Sequence, residues 1–262
     1  HSLAAEALPA YLERVKAYYE EAQPHYLEHL GTTWQAGRVS PEGEQQSNRI
    51  LAERARLAPG QRVLDAGCGV LGPALDMARA IPDLVVEGVT LCPSQHQEGQ
   101  RRLKEAGLEG RVGITRADFH HLPFPDGSFQ RVLYLESSGY AHDRARLFAE
   151  AFRVLEPGGL VYIKDVFRLR GPLSFTRWQE LAAFDQLYAQ RTPTLEETVA
   201  CLRQAGFAEV RESRLEVSME HYQQAMRSGS QLTSLGRVHP IQFRELPVFF
   251  AEVLAVRPSV AS

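Results

Sequence analysis

The sequence has few cysteines, no long apolar run and no excess of basic residues, and each lack excludes a class of protein. Its three cysteines, Cys68, Cys92 and Cys201, form no CxxC pair, so they indicate neither a disulfide framework nor a zinc site. No apolar stretch approaches the roughly 20 residues of a membrane helix. With 29 basic against 32 acidic residues, the charge gives no reason to expect a nucleic-acid partner. We expect a cytoplasmic globular protein, without a membrane span, whose partner is a small molecule.

Short β-branched or aromatic runs alternate with helical segments from residue 62 onward. Alternation of this kind predicts a doubly wound, parallel α/β sheet with helices on both faces. Two later runs predict a closing strand pair, which makes seven strands in a mostly parallel, Rossmann-like sheet. The predicted strands are 62–67, 84–91, 111–118, 129–137, 159–167, 207–217 and 248–256.

The first part of the chain, residues 1–45, is predicted to form a helical lid. Apolar and aromatic residues recur there at helical spacing and are interrupted by Pro9 and Pro24, which predicts more than one helix. The stretch 31–43 is rich in Gly, Ser, Thr and Pro but contains Trp34, which is unusual in a plain linker. We interpret this stretch as a lid or pocket wall.

The remainder, residues 46–262, is predicted to form the main domain. Two segments, at about 168–206 and 218–246, stand where insertions over the carboxyl ends of the strands are expected. Insertions at that edge commonly shape a substrate pocket.

The strongest motif is VLDAGCGVLG at 63–72, where a predicted strand runs into a glycine-rich turn and a helix. Gly67 and Gly69 permit a tight turn and a close approach by a ligand. Asp65 stands two places before the first glycine, where its carboxylate would repel a pyrophosphate and would suit a sulfonium or ammonium instead. The motif resembles the VLDxGCGxG of class I methyltransferases, and the resemblance runs over residues 60–165. It implies S-adenosylmethionine as cofactor, bound through Asp65, Gly67, Cys68 and Gly69.

The second strand ends in GVTLCPSQ, which resembles the GxTLSxxQ motif of cyclopropane fatty acid synthases and of sterol, tocopherol and prenyl diphosphate C-methyltransferases. The resemblance implies contacts from Thr90, Leu91 and Gln95 to the cofactor's adenosine part. A hydroxyl and a carboxamide would there replace the carboxylate that most of the superfamily uses. A helix that starts at Pro93 behind a capping threonine is the alternative interpretation.

The third strand ends in Asp118 and Phe119, which the family resemblance assigns to the adenine amine and ring. His120 and His121 follow, and because neighbouring side chains of an extended segment point in opposite directions, a joint metal site is not expected. We predict a solvated pair of loop histidines.

The fourth strand ends in Leu135 and Glu136, and Leu135 completes this edge of the predicted cofactor site. The following segment resembles the N-E-S-T segment of prenyl diphosphate C-methyltransferases, where the glutamate is the base, although an LESL-type segment also occurs in O-methyltransferases. The resemblance implies Glu136 as the catalytic base. Tyr140, whose ring could stabilise a cation, and His142, which follows this strand, are further catalytic candidates. The N-terminal run from Tyr18 resembles the entry helix of sterol-type relatives, which implies a cofactor contact from Tyr18.

Aromatic and basic residues in the lid and the insertions are candidates for substrate binding. Aromatic faces can stabilise a carbocation, and basic groups can neutralise a diphosphate. Packing in the core or on the solvated surface is the alternative for each. The predicted substrate residues are Trp34, Phe167, Arg168, Trp178 and Tyr188, and the basic candidates for a diphosphate are Lys164, Arg168, Arg170 and Arg177.

These features lead to the hypothesis of a C-methyltransferase that acts on an alkene carbon of a small isoprenoid, or of a prenyl diphosphate, in terpene or other specialised biosynthesis. An O- or N-methyltransferase for a small natural product is one alternative, and a non-catalytic cofactor-binding protein is another. No protein metal site is predicted, and Mg²⁺ is expected only with a diphosphate substrate. The sequence allows a homo-oligomer but does not indicate one.

Overall fold

The computed structural model describes residues 8–228 and 244–259, which include the seven predicted strands. The strands are β1 Arg62–Ala66, β2 Val85–Thr90, β3 Val112–Arg116, β4 Phe129–Leu135, β5 Leu155–Arg168, β6 Ala208–Arg214 and β7 Val248–Val256. The helices are α1 Leu8–His29, α2 Glu44–Arg54, α3 Gly72–Ala80, α4 Pro93–Ala106, α5 Arg144–Val154, α6 Phe175–Leu187, α7 Leu195–Ala205 and α8 Glu220–Ser228.

One sheet contains all of these strands in the order β3-β2-β1-β4-β5-β7-β6. The first five pair in parallel, whereas β7 runs antiparallel to both β5 and β6. The predicted Rossmann-like fold, with its closing strand pair, is therefore confirmed. The strand order reverses between β1 and β4, which is where open α/β sheets bind their ligands.

Two apolar layers bury the faces of this sheet. On one face Phe148 of α5 and Leu202 of α7 pack against the strands, and on the other face Leu51, Met77 and Leu103 of α2, α3 and α4 do so. Burial on both faces explains the continuous apolar runs VLYL in β4 and LVYI in β5. The helices thereby fix the positions of the strand ends.

The N-terminal segment forms a single helix where interruptions were predicted at Pro9 and Pro24. Helix α1 runs through Pro24, which lies inside it. A proline costs one backbone hydrogen bond, but here Ala22, Tyr26 and Leu30 on both sides of it are buried in one cluster. Tertiary packing thus outweighs the local preference.

The predicted insertions contain helices that frame the sheet edge. The first insertion contains α6 and α7, which residues 188–194 separate. Part of the second insertion, residues 229–243, lies outside the described residues. Among the described helices, none is both long enough and apolar enough to cross a membrane.

Candidate active site

A pocket opens at the carboxyl ends of β1 to β4 and is closed from above by α1 and the segment that follows it. Its empty space amounts to about 890 Å³, counting the part that is open to solvent. Its walls contain Leu12, Val15, Tyr19, Thr32, Trp34, Gln35, Asp65, Gly67, Cys68, Gly69, Pro73, Val89, Thr90, Leu91, Cys92, Gln95, Ala117, Asp118, Phe119, Leu135, Glu136, Ser137 and Tyr140.

The turn after β1 depends on glycine. Gly67 has φ of 84°, and a Cβ on it would stand 2.5 Å from Cβ of Ser137. The backbone N–H groups of Gly67 and Cys68 both donate to the carbonyl oxygen of Val89, each over 2.9 Å. A side chain at Gly67 would therefore separate the ends of β1 and β4 and disturb the pocket floor.

Asp65 lies on β1 beneath this turn and is 2% exposed. Burial raises the pKa of its carboxyl to about 7, because the charged form loses its hydration. Among the described residues, no lysine or arginine forms an ion pair with it. A bound cation would supply the missing charge, which fits the expectation of an ammonium or a sulfonium at this place.

Thr90 and Gln95 bind each other at the end of β2. The Thr90 hydroxyl donates to Oε1 of Gln95 over 2.6 Å and accepts the backbone N–H of Cys92 over 3.2 Å. Helix α4 starts behind Cys92 without a side-chain cap, so the threonine does not cap the helix. Both residues line the pocket.

Asp118 and Phe119 form the wall beyond β3, and His120 holds Asp118. Oδ1 of Asp118 accepts the backbone N–H of His120 over 2.9 Å and lies 2.7 Å from its Nδ1. His120 is 1% exposed, so the prediction of a solvated histidine pair is wrong for this residue, whereas His121 is exposed. His120 is buried because its ring packs behind Asp118, whose carboxylate accepts hydrogen bonds from it.

Glu136 is engaged on several sides at the end of β4. It has φ of 53°, an uncommon conformation for a side-chain-bearing residue. Its carboxylate accepts the backbone N–H groups of Ala36 and Gly37, over 2.8 and 3.3 Å, and an ion-pair hydrogen bond from Nζ of Lys164. Lys164 is fully buried and also donates to Oε1 of Gln35 over 2.9 Å. Glu136 and Lys164 together fasten the N-terminal segment to the sheet.

A second buried carboxylate, Asp165, supports the short 3₁₀ turn after Glu136. It accepts the Ser138 hydroxyl over 2.5 Å and the backbone N–H of Gly139 over 3.2 Å. Burial raises its pKa to about 6, although the hydrogen bonds from Ser138 and from the backbone of Val166 act in the opposite direction. Asp165 thus fixes the loop that carries Tyr140 into the pocket.

An aromatic wall faces the strand ends. Tyr19 lies parallel to Trp34 with ring centroids 6.4 Å apart, and it contacts Tyr140 at 5.3 Å. Tyr26 joins Trp34 at 5.4 Å, and burial raises the phenol pKa of Tyr19 and Tyr140 well above its usual range. These neutral rings come from α1, the segment after it and the loop after β4, so the wall forms only when distant parts of the chain meet.

Most of the predicted cofactor residues line this pocket, whereas several other candidates do not. Tyr18 lies outside the lining, where its hydroxyl binds that of Tyr26 and its ring contacts Tyr188 at 6.4 Å. His142 packs against Tyr11 at 5.3 Å. Phe167 is fully buried in the apolar core and is not among the residues that line the pocket.

Two predicted substrate residues lie on a separate surface depression. Arg168 forms an ion pair with Glu197 over 3.1 Å, and Trp178 is 53% exposed beside Phe175, which is 72% exposed. The contacts of Arg168 turn it toward α7, and Trp178 stands near the start of α6. These residues were placed at the pocket because the insertion as a whole was expected there.

Sequence reasoning missed several residues that contribute to the site. Tyr19 rather than its neighbour Tyr18 faces the pocket. When aromatic residues are adjacent, the sequence does not show which of them the helix turns toward the sheet. Gln35 and Lys164 were not recognised as partners at Glu136, since they are distant in sequence. The signal for Lys164 was a lysine inside the apolar run of β5, where residues 159–165 are all buried.

No metal-ligand group is apparent in the part of the chain that the structure describes: no three His, Cys, Asp or Glu side chains there converge on a common point. The histidines His25 and His29 of α1 lie 4.4 Å apart between ring centroids. They have no third ligand among those described residues.

Comparison with known proteins gives a consistent result. A family model described as a methyltransferase domain matches residues 64–163. "Methyltransferase GfsG" of Streptomyces halstedii is 34% identical over 172 residues, which are 63% of this chain and 61% of that protein. The cycloartenol-C-24-methyltransferase of Arabidopsis thaliana is 32% identical over 154 residues, 56% of this chain and 45% of that protein. The chain thus spans less than two thirds of these curated relatives.

A solved structure with the same architecture is the geranyl diphosphate C-methyltransferase from Streptomyces coelicolor A3(2), in complex with Mg²⁺, geranyl diphosphate and S-adenosyl-L-homocysteine. It superposes with a TM-score of 0.75 at 18% identity and covers 97% of this chain and 99% of that one. At this identity the likeness establishes the shared fold.

Proposed function

We propose that this chain is a class I S-adenosylmethionine-dependent methyltransferase that transfers the methyl group of that cofactor to a small molecule. The observation that carries the proposal is the charge of the pocket. Among the described lining residues the charged side chains are Asp65, Asp118 and Glu136, and no lysine or arginine is present. Such a pocket favours a ligand with positive charge.

The residues of the strand ends fit the cofactor along its length. Asp65 would hold the ammonium end above the turn at Gly67, and Thr90 with Gln95 would hold the ribose. Asp118 and Phe119 would hold the base. When bound, S-adenosylmethionine supplies an electrophilic methyl group on a sulfonium.

The acceptor side of the pocket favours an apolar substrate. Tyr19, Trp34 and Tyr140 present aromatic faces there, and Leu12 and Val15 of α1 add apolar surface. We propose an alkene carbon of a small isoprenoid as the acceptor. A cycloartenol C-methyltransferase and a geranyl diphosphate C-methyltransferase are among the similar proteins, which supports this choice.

The described pocket gives more support to an uncharged isoprenoid than to a prenyl diphosphate. Three of the basic residues that could neutralise a diphosphate are engaged with acids: Lys164 with Glu136, Arg168 with Glu197 and, at 3.9 Å, Arg177 with Glu245. We expect Mg²⁺ to take part only if the acceptor is a diphosphate.

Glu136 can serve the reaction in either of two ways. As a base it would take a proton from the methylated carbocation, for which Lys164 would first have to release an oxygen. As a positioning residue it would hold Ala36 and Gly37 so that Trp34 and Gln35 complete the pocket. The first role is the one that the family resemblance implies, and the second follows from the contacts.

Glu136→Gln and the double variant Glu136→Gln/Lys164→Met distinguish these roles. A base role predicts that both variants keep cofactor binding and lose turnover by about two to four orders of magnitude. The double variant has no charge at either position and so leaves no unpaired lysine. If it regains turnover, Glu136 acts as a positioning residue rather than as the base. Thermal unfolding of each variant serves as the control for folding.

The acceptor can be identified by incubation with methyl-labelled cofactor. The panel contains geranyl and farnesyl diphosphates, the corresponding alcohols and hydrocarbons, and a phenol and an amine, with mass spectrometry to locate the methyl group. Label on carbon supports the proposal, and label on oxygen or nitrogen only would replace it with the alternative class. Calorimetry that shows a preference for NAD over S-adenosylmethionine would end the methyltransferase interpretation.

The cellular setting and the domain division are also part of the proposal. All three cysteines are free, which supports a reducing, cytoplasmic compartment.

The helical lid is proposed to be the part before residue 46, since α1 and Trp34 cover the pocket. A homo-oligomer stays a prediction that size-exclusion chromatography with light scattering can test.

A further inference from the structure

His120 is a buried histidine that the proposed reaction does not use. We propose that it is a positioning residue: its ring holds Asp118 in the orientation that accepts the amino group of the cofactor's adenine. This inference rests on the proposed function, because it needs the adenosyl cofactor in the pocket. The side chain of Asp118 is 19% exposed and that of His120 is 1% exposed, so Asp118 alone of the two faces the ligand.

The two donors of His120 converge on a single oxygen. Its backbone N–H and its Nδ1 lie 2.9 and 2.7 Å from Oδ1 of Asp118. Among the described residues, no group donates to Oδ2, which is therefore available to the pocket. The hydrogen bonds of His120 outweigh burial and hold the pKa of Asp118 below its usual range, so the carboxylate is a ready acceptor.

The contacts of the ring determine which nitrogen carries the proton. The backbone N–H of Asp143 points at Nε2 over 3.3 Å, so Nε2 accepts and the proton belongs on Nδ1. This tautomer is the one that donates to Asp118. A leucine in the same volume would remove the donor, whereas an asparagine can place its amide nitrogen near the position of Nδ1.

The start of α5 keeps His120 in place. Nε of Arg146 donates to the His120 carbonyl over 3.1 Å, and the Asp143 side chain caps the helix by accepting the Arg146 backbone N–H over 3.0 Å. The His120 ring also meets Phe119 edge-on at 5.1 Å. A helix end thus orients the ring, the ring orients the carboxylate, and the carboxylate faces the ligand.

The order of the strands assigns the adenine to this end of the pocket. The acceptor wall of Trp34 and Tyr140 lies near β4, and Asp118 lies beyond β3, on the opposite side of β1 and β2. The reacting sulfur has to lie near the acceptor, so the base occupies the far end. There a carboxylate beside the Phe119 ring suits a flat heterocycle that carries an amino group.

The test compares two ligands that differ at that amino group. S-adenosylhomocysteine and S-inosylhomocysteine, which has an oxygen in place of the amine, are titrated by calorimetry into the full chain and its His120→Leu, His120→Asn and His120→Gln variants. We expect His120→Leu to bind the adenosyl ligand about tenfold more weakly and the inosyl ligand as the parent does. His120→Asn should recover most of the adenosyl affinity.

The outcomes separate this inference from the proposed function. Equal losses for the two ligands, or no loss for either, would overturn the role of His120 while leaving the cofactor site intact. Failure of the parent chain to bind S-adenosylhomocysteine would overturn the proposed function instead. If His120→Leu does not fold, His120→Gln takes its place, because it stays polar and sets its amide nitrogen further from Asp118.

Discussion

The two walls of the pocket are built in different ways. The wall of strand ends carries Asp65 on β1, Thr90 on β2 and Asp118 just beyond β3, and short backbone contacts hold it together. The aromatic wall combines Tyr19 of α1 with Trp34 and Tyr140, which approach from separate parts of the chain. The first wall is nearly complete within one continuous stretch of sequence, while the second exists only in the folded molecule.

This difference shows how the work of the site is divided. The strand ends present polar groups of the kind that a common cofactor requires, and the aromatic wall presents the surface that an acceptor would meet. Glu136 and Lys164 connect the two walls, because their ion pair lies at the sheet and their remaining contacts reach Gln35 and Ala36. Substitutions in the two walls and in this connection should therefore have separable effects.

The largest effect is expected where the walls are connected. Lys164→Met leaves the Glu136 carboxylate without its cation, and removal of one partner of a buried pair costs about 3–5 kcal/mol. Denaturant unfolding measures the change, and the double variant with Glu136→Gln should recover part of it. Unfolding indistinguishable from that of the parent chain would show that the pair does not join the walls.

The turn of the strand-end wall should show the next largest effect. Gly67→Ala combines a left-handed backbone with a contact of 2.5 Å to Ser137, which together cost about 2–4 kcal/mol. Gly107→Ala is the matched control, since its φ is 65° and nothing lies within 4 Å of the added Cβ. If the two alanines cost the same free energy of unfolding, the close approach at Gly67 has no consequence.

A smaller, pH-dependent effect is expected at Asp65. Because burial raises its pKa to about 7, the empty native state holds this proton more tightly than the unfolded chain does. This group's contribution to the free energy of unfolding therefore falls as pH rises from about 4 to about 7.

Binding of the cationic cofactor requires the ionised carboxylate of Asp65. The affinity for the cofactor should therefore rise as the pH increases through about 7. We expect binding about tenfold weaker at about pH 6 than at about pH 8. Calorimetry should find this pH dependence in the parent chain and a flatter profile in Asp65→Asn. An equally steep profile in the variant would assign the titration to another group.

The smallest effect is expected at Trp178, one of the two tryptophans. Since it is 53% exposed on the outer surface, Trp178→Phe should change the free energy of unfolding by less than about 0.5 kcal/mol. The change of intrinsic fluorescence on cofactor binding should persist in this variant and disappear in Trp34→Phe. The reverse pattern would show that Trp178, and not Trp34, lies at the cofactor site.

Prediction from the sequence also succeeded more for the strand-end wall than for the aromatic wall. The seven strands, the glycine turn and the polar residues of the strand ends were predictable, because each depends on local periodicity or on a contiguous motif. The continuous helix through Pro24 and the choice of Tyr19 over Tyr18 depend on packing between distant segments. His120 was misjudged because its two ring partners, the backbone N–H of Asp143 that donates to Nε2 and the Asp118 carboxylate beside Nδ1, come together only in three dimensions.

Gly72, at the first position of α3, ties the N-terminal segment to the central sheet. A Cβ there would lie 2.2 Å from the carbonyl oxygen of Thr32, so the two backbones touch directly, with no side chain between them. A contact so close leaves no room for adjustment when either partner is exchanged. Any chimera that borrows its first 45 or so residues from a relative would thus have to reproduce this backbone path, so the lid and α3 would have to be exchanged together.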